Sequence, residues 1–477
     1  MGEASWIGVD LGTQSVRAVR VAASGAVLGR AARPLTSSHP DAERHEQDPL
    51  DWFAAVDATL SEVADPSVDG IAICSTSGTV LLTDGTGHPL TPALMYDDAR
   101  AAAELPRIVA ADPARWSTAM QPTWALPKIL WLAAHQAAGS QLAHNGNQRA
   151  GWRIAHSADA VAAQLTGHPV ATDTSHALKT GYDLVAGTWP YDAFDRLGLA
   201  RESFPDVVLP GARLGLVSAA KAQLTGVPEG TPVYAGMTDG CAAQIAAGAL
   251  APGSWNSVLG TTLVLKGVSR DLLDDPTGAV YSHRHPDGGW LPGGASNTGA
   301  GALTAMLPGA DLDAFDRQAR ELGPIDAAIY PITKRGERFP FVAPDATSFE
   351  LGDLPDDLHR YAGVLQGVAF IERLAFEHLV TLGAEPVGSV SLTGGAVRSG
   401  YWNQLRADVL GVPVELPATP DPAYGMAILA ASEGGSVTET AARMVKVANV
   451  LEPHPQGRLE HLCGEFVAEL DRRGYLG

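Results

Sequence analysis

The chain has 477 residues, 45% of them hydrophobic and 18% charged, with a formal net charge of -20. That length exceeds one ordinary core, so two domains are expected, and the acidic excess argues against an electrostatic grip on nucleic acid or anionic lipid and points to a small-molecule partner. No apolar run approaches a membrane span, Glu3, Asp10 and Gly12 interrupt any signal-peptide reading, and the three cysteines, Cys74, Cys241 and Cys463, lack metal-ligand spacing; a cytoplasmic chain with buried thiols is expected.

The first element is Trp6 to Leu11, a β-rich run that Gly12-Thr13-Gln14 interrupts before Val16 to Val21 resumes it. Ser24-Gly25 turns the chain again into Ala26-Val27-Leu28, which predicts a three-strand meander. With no GxGxxG and a strand where a helix should follow, this is not a Rossmann start. A Gly at such a turn lets backbone N–H groups face inward around a phosphate, and Thr13 adds a hydroxyl, although ordinary hairpins use the same residues. Asp10 precedes the turn, where a carboxylate acting through water would hold Mg²⁺. Farther on, Pro49 to Val63 and Ala125 to Ala138 read as helices, while Gly70 to Cys74 and Val80 to Leu82 read as strands, an α/β pattern. A loop-rich approach through Pro205 and Pro210 leads to a strand at Val233 to Gly236, and a domain boundary is expected near Ala247.

Beyond that boundary the opening is repeated as Trp255 to Leu265, with Leu259-Gly260-Thr261-Thr262 at the turn and Val258 where the first copy has Asp10. Two such turns in two halves of a chain predict an ATP clamp in which only the first can hold a metal. A Gly-rich stretch runs from Gly293 to Gly301, a long buried helix is expected from Leu365 to Leu382, and a β run from Val387 to Leu392 ends in Thr393-Gly394-Gly395, a ligand-facing geometry. From Ser436 onward the tail reads as helical and structural. Between the halves, Tyr234 to Gln244 places Asp239 where a strand gives way to an Ala-rich helix. Asp is a common helix N-cap, but a kinase also needs a carboxylate that takes the proton from the attacking hydroxyl.

These segments together resemble the FGGY carbohydrate kinases of the sugar kinase, Hsp70 and actin ATPase superfamily, in the family's order from about residue 5 to 435. Asp10-Leu11-Gly12-Thr13 is similar to the first phosphate motif, Gly236-Met237-Thr238-Asp239-Gly240 to the catalytic-base motif, and Leu259-Gly260-Thr261-Thr262 to the second phosphate motif. Leu392-Thr393-Gly394-Gly395-Ala396 with Ser399, Trp402 and Gln404 resembles the adenosine motif, and Gly425 stands in the helix that usually follows it. The resemblance implies an α/β chain of two RNase H-like domains flanking a catalytic cleft, with residues 1–247 carrying the sugar, the first phosphate loop and the base. Residues 248–477 would carry the nucleotide and a helical tail. It implies ATP and Mg²⁺ as cofactors, Asp239 as catalytic base, and Asp10 beside the metal and the substrate. Nucleotide contacts are implied for Gly12, Thr13, Gln14, Gly260, Thr261, Thr262, Gly299, Gly394, Gly395, Ala396 and Trp402. A monomer or homodimer with only small-molecule partners is expected.

On the sugar side, Tyr96-Asp97-Asp98-Ala99-Arg100 resembles the family's Trp-x-Asp-x-Arg motif with Tyr for Trp, and implies Asp98 and Arg100 as sugar contacts; a surface Asp/Arg pair is the structural alternative. Glu46-Gln47-Asp48-Pro49 and Leu165-Thr166-Gly167 also stand where the family has them. Xylulokinases carry Gly-Gln-Met-His after the fourth strand, whereas this chain has Ser75-Thr76-Ser77-Gly78-Thr79, so small groups at Ser77 and Gly78 replace two bulky ones. With the run Thr172 to Asp183, this resembles the D-ribulose kinase branch of cyanobacteria and plants. D-ribulose is the expected substrate, with D-xylulose or a polyol as alternatives in the same family. An actin- or Hsp70-like ATPase without sugar chemistry is the non-enzymatic alternative, against which the sugar-side motifs and Asp239 speak.

Overall fold

The structure is a computed structural model that describes residues 3–139, 151–454 and 456–476. It divides into two compact units, one made of residues 1–246 and 421–444, the other of residues 247–420 and 445–477.

The first unit is built on a six-stranded mixed sheet. Its strands are β1 (Ser5–Leu11), β2 (Ser15–Ala22), β3 (Val27–Pro34), β4 (Val68–Ser75), β5 (Arg213–Leu216) and β6 (Pro232–Tyr234), in the order β5-β6-β4-β1-β2-β3. The predicted meander is the antiparallel run β1-β2-β3, and β4 joins β1 in parallel, with Asp10 opposite Arg17 on one side and Cys74 on the other. Every residue of β1 is buried, as a central strand covered on both faces requires. Helix α1 (Pro49–Val63) buries Trp52, Phe53, Val56 and Leu60 against that sheet, with Asp48 capping Leu50 N. Behind β4 lies α2 (Ser157–Thr166), and α3 (Asp239–Ala246) follows β6. A small antiparallel sheet of Glu46–Gln47, Ala93–Leu94, Val80–Thr83 and Arg153–His156 carries the sugar-side motifs.

The second unit repeats this plan. Strands β7 (Ser254–Leu259), β8 (Leu263–Gly267), β9 (Tyr281–Arg284), β10 (Trp290–Ala295), β11 (Ser389–Thr393), β12 (Val414–Pro417) and β13 (Val447–Leu451) run in the order β9-β10-β8-β7-β11-β12-β13. As in the first unit, a hairpin is followed by a parallel partner, here β7 with β11. Helix α4 (Asp357–Thr381) is the long buried helix, beginning eight residues before the expected start because Asp356 caps it at His359 N. Helix α5 (Gly400–Leu410) follows the Gly-Gly turn and is fixed from within by a fully buried ion pair of Arg406 with Glu372, to which Ser257 Oγ adds an acceptor at 2.7 Å.

Two expectations about the C-terminal half are corrected. The tail is not wholly helical, because β13 pairs antiparallel with β12 and extends the sheet. Nor do residues 248–477 form one uninterrupted domain: α6 (Pro422–Ala431) packs in the first unit, on β1 and α3. The approach is so close that a Cβ on Gly8 would lie 1.8 Å from Ala423 O, and one on Gly425 2.1 Å from Ala242 O. Only glycine fits where backbones touch in this way.

Candidate active site

The turn at Gly12-Thr13-Gln14, expected to face phosphate, is held from below. Gly12 N donates across the turn to Ser15 O at 3.1 Å, and the Thr13 carbonyl accepts from Gln47 Nε2 at 2.6 Å. Gln47 is itself oriented by Trp52 Nε1, which donates to its Oε1 at 2.6 Å, and its Nε2 also reaches Ser37 Oγ at 2.9 Å. The network continues from Ser37 Oγ to His45 Nε2 at 2.8 Å and from His45 Nδ1 to Asp97 at 2.6 Å. Gln14 is exposed and Thr13 partly so, which leaves the turn's outer groups open.

At the end of β1, Asp10 is 5% exposed, and its pKa is pushed up to about 7. Burial is the main cause, the nearby charges of Asp239 and Asp421 add to it, and Arg17 and a Cys74 Sγ contact only partly oppose it. Asp239 begins α3 half-buried, with Oδ1 accepting from Gly240 N at 2.7 Å. Asp421 caps α6 through Ala423 N at 3.0 Å and faces Arg30 at 3.7 Å. Sequence reasoning missed Asp421; its signal was an acidic residue directly before a Pro that opens a helix. A carboxylate whose charge is disfavoured by burial and by two neighbouring carboxylates is one that a divalent cation would stabilise, so Asp10 fits the expected Mg²⁺. Among the described residues no three His, Cys, Asp or Glu side chains form a direct ligand cage; a water-mediated site on Asp10 needs none.

The residues expected on the sugar side occupy the small sheet and its loops. Asp98 is fully buried and not a solvated surface residue: its oxygens accept from Arg100 Nε at 2.9 and 3.0 Å, Arg100 Nη2 at 2.7 Å and His45 N at 2.7 Å. Arg100 also donates to Glu46 at 2.5 Å and stacks over Trp131, with its guanidinium carbon 5.1 Å from the ring centre. Gly78 is buried with φ of +96°, a conformation open to glycine. Two lysines grip its loop: buried Lys128 donates to Gly78 O at 3.1 Å and Met95 O at 2.5 Å, and Lys179 donates to Ser77 O at 3.2 Å. Ser77 Oγ is buried and has no hydrogen-bond partner among the described residues. Burial brings the Lys128 pKa down to about 7, Asp98 opposing the shift. The sequence reading missed Lys128, since an apolar helix gives no sign that its one lysine points inward.

In the second unit the turn Gly260-Thr261-Thr262 opens onto a cavity of about 560 Å³ whose walls include Gly301, Asp316, Tyr361, Gly395, Ala396 and Trp402. Ala300 N and Gly301 N donate to Gly260 O and Thr261 O at 2.9 and 3.1 Å. A Cβ on Gly299 would sit 2.4 Å from Thr261 O, and Gly394, at φ of +89°, would place one 2.6 Å from Leu259 O, so both glycines let neighbouring loops close around the turn. Buried Glu337 sets the approach to Gly299: it accepts from Ser296 Oγ at 2.9 Å, Asn297 N at 2.7 Å, Thr298 Oγ1 at 3.2 Å and Tyr330 OH at 3.1 Å. Burial and the Glu337 charge push the Tyr330 phenol well up. Ser399 caps α5 at Trp402 N and pairs with Asp316, and the Trp402 indole donates to Leu365 O at 3.1 Å. Val258 stands in β7 where Asp10 stands in β1, so this turn has no carboxylate at that position.

Comparison with known proteins gives a consistent picture. The model of the FGGY family of carbohydrate kinases, N-terminal domain, matches residues 5–246, and that of its C-terminal domain matches residues 256–433. The chain is 29% identical over 451 residues to a xylulose kinase of Escherichia coli K12, covering 89% of each chain. It is 30% identical over 430 residues to a xylulose kinase of Streptomyces coelicolor, covering 86% of this chain and 84% of that one. Among solved structures, the xylulose kinase of Rhodospirillum rubrum superposes with a TM-score of 0.86 at 27% identity, covering 98% of both chains.

Proposed function

Because the chain belongs to the FGGY family of carbohydrate kinases, we propose that it transfers the γ-phosphoryl group of ATP to the terminal primary hydroxyl of a ketopentose, with D-ribulose as the preferred substrate and D-ribulose 5-phosphate as product. The observation that carries this reading is the placement of Asp10 at the end of β1 and Asp239 at the start of α3, one carboxylate beside a phosphate turn and the other at a helix N-terminus.

Asp239 takes the proton of the sugar hydroxyl as that oxygen bonds to the γ-phosphorus, and the bond from phosphorus to the bridging oxygen breaks to release ADP. Asp10 would hold Mg²⁺ through water; the cation, when bound, neutralises charge on the phosphoryl oxygens. Thr13 and Gln14 offer donors to phosphate on the first unit, and Gly260, Thr261, Thr262, Gly299, Gly394, Gly395, Ala396 and Trp402 serve the nucleotide on the second. Ser77 and Gly78, with Asp98 and Arg100 behind them, read the sugar. D-ribulose is favoured because Ser77 and Gly78 are small and their loop is clamped by Lys128 and Lys179.

A second reading, D-xylulose, is favoured by the relatives named xylulose kinase at 29% and 30% identity. A coupled ADP-release assay over ketopentoses, aldoses and polyols decides between them. The highest kcat/KM for D-ribulose supports the first reading, a clearly higher value for D-xylulose establishes the second, and no sugar-dependent ADP release overturns both.

A further inference from the structure

Behind the proposed base lies a network of buried polar side chains that the reaction as described does not use. It starts at Asp173, which caps the short helix Thr174–Ala177 and is 2% exposed. Its Oδ1 accepts from Ser175 N at 2.7 Å, Ser175 Oγ at 2.5 Å and His176 N at 3.1 Å, and its Oδ2 pairs with His176 Nδ1. His176 Nε2 lies 2.9 Å from Ser75 Oγ, at the end of β4. Ser75 Oγ also accepts from Ser157 Oγ at 2.7 Å and from Ala158 N at 3.1 Å, at the start of α2. The network closes at Thr238, the residue before Asp239: its N–H donates to Ser175 Oγ at 2.9 Å, and its backbone bridges Ser75 in parallel. Ser75, Ser175 and His176 are each fully buried.

We propose that Asp173, Ser175 and His176 are positioning residues, which fix the backbone at Thr238 and thereby the direction in which Asp239 presents its carboxylate. This rests on Asp239 being the base. Each member is needed for the next. Ser175 Oγ can accept from Thr238 N–H while donating its own hydrogen to Asp173, so the carboxylate sets the hydroxyl's orientation. With Oδ2, Asp173 also orients the imidazole, whose other nitrogen meets the hydroxyl of Ser75 on the strand that Thr238 bridges. Burial is the largest single influence and opposes charge on both Asp173 and His176, but their attraction and the hydrogen bonds around them together exceed it, holding the carboxyl below and the imidazole above the ordinary range. A buried ion pair of this kind serves orientation more than net stability. The run Thr172 to Asp183, which carries part of the resemblance to the D-ribulose kinase branch, directs these three side chains into the interior.

A misdirected base slows the chemical step and leaves ground-state binding of sugar and nucleotide alone. Ser175→Ala and His176→Ala are therefore expected to lower kcat about ten- to a hundredfold while each KM stays within about twofold, since a displacement near 1 Å suffices for such a loss. His176→Gln, whose amide can still reach Ser75 Oγ, is expected to recover part of it. Ser175→Ala removes a single buried oxygen and guards against a result due to unfolding. Hydrogen exchange at the Thr238 amide, measured on the full-length protein, provides a readout independent of turnover, and is expected to quicken in Ser175→Ala. Unchanged exchange there, or a loss confined to the sugar KM, overturns the positioning role. Absence of sugar-dependent turnover in the unmodified protein overturns the kinase reading instead, and the exchange result then still decides whether these side chains fix the backbone at Thr238.

Discussion

Gln47 donates from Nε2 to the carbonyl of Thr13 at 2.6 Å while its Oε1 accepts from the Trp52 indole at 2.6 Å. The side chain is 3% exposed, so water cannot replace either bond readily. Helix α1 thereby supports the turn between β1 and β2 through one amide. Gln47→Ala leaves the indole and the carbonyl unsatisfied and should cost roughly 1–3 kcal/mol of stability. Denaturant unfolding measures that cost, and a parallel rise in the KM for ATP, with the sugar KM little changed, would connect the brace to the phosphate turn.

Asp239→Asn should preserve the fold and the binding of both ligands but reduce kcat by about 10²–10⁴-fold, the usual contribution of a placed general base. The amide can still accept from Gly240 N, so the helix start is kept. Near-normal kcat in a folded variant would return Asp239 to the role of an ordinary helix cap.

Asp10→Asn should act differently, because its proposed task is electrostatic. The amide removes the buried charge that Asp239 and Asp421 destabilise, and with it the attraction for a divalent cation. Titrating activity against Mg²⁺ should show a clearly higher metal requirement, whereas an unchanged midpoint would separate Asp10 from the metal.

Lys128 gives the protein a pH-dependent term. Its folded pKa, about 7, lies below the ordinary lysine value, so between pH 7 and about 10.4 the unfolded chain binds more protons than the folded one. Stability from this group therefore rises with pH across that window and is flat on either side. Full expression of the shift amounts to a few kcal/mol as an upper bound. Lys128→Met should flatten the slope of unfolding free energy between pH 7 and 10, although its absolute level also reflects the freed carbonyls of Gly78 and Met95. An identical slope in the variant would mean that the lysine is charged throughout in the fold.

Glu337 draws the loop of Ser296, Asn297 and Thr298 together ahead of Gly299. Glu337→Ala should cost at least about 3 kcal/mol, since several donors, among them the Tyr330 phenol, lose a charged acceptor inside the core. Calorimetric titration with an ATP analogue should show weakened binding even where the variant stays folded, and intact affinity would disconnect this loop from the proposed nucleotide site.

What the sequence determined by itself was local. The two hairpins around Gly12 and Gly260, the helix from Pro49, the strand ending at Thr393 before Gly394 and the place of Asp239 between strand and helix all follow from alternation, turn residues and caps within a dozen residues of each other. The contrast between Asp10 and Val258 was equally plain, because the repeats could be laid side by side. Only the tertiary structure decided which distant groups meet. Asp421 reaches the electrostatic neighbourhood of Asp10 because α6 returns to the first unit, where Gly8 and Gly425 allow backbones to touch. Lys128 was one cation in an apolar helix until the fold aimed it at two carbonyls, and nothing in the run from Thr172 showed that Ser175 would meet the backbone of Thr238. The strand Val447–Leu451 escaped notice because a sheet edge takes its hydrogen bonds from a strand far away in sequence, here β12, and its mostly exposed residues show no apolar alternation. Hydrogen bonds and buried charges of this kind depend on separations in space that linear spacing does not encode, whereas turns, caps and strand periodicity depend on neighbours along the chain.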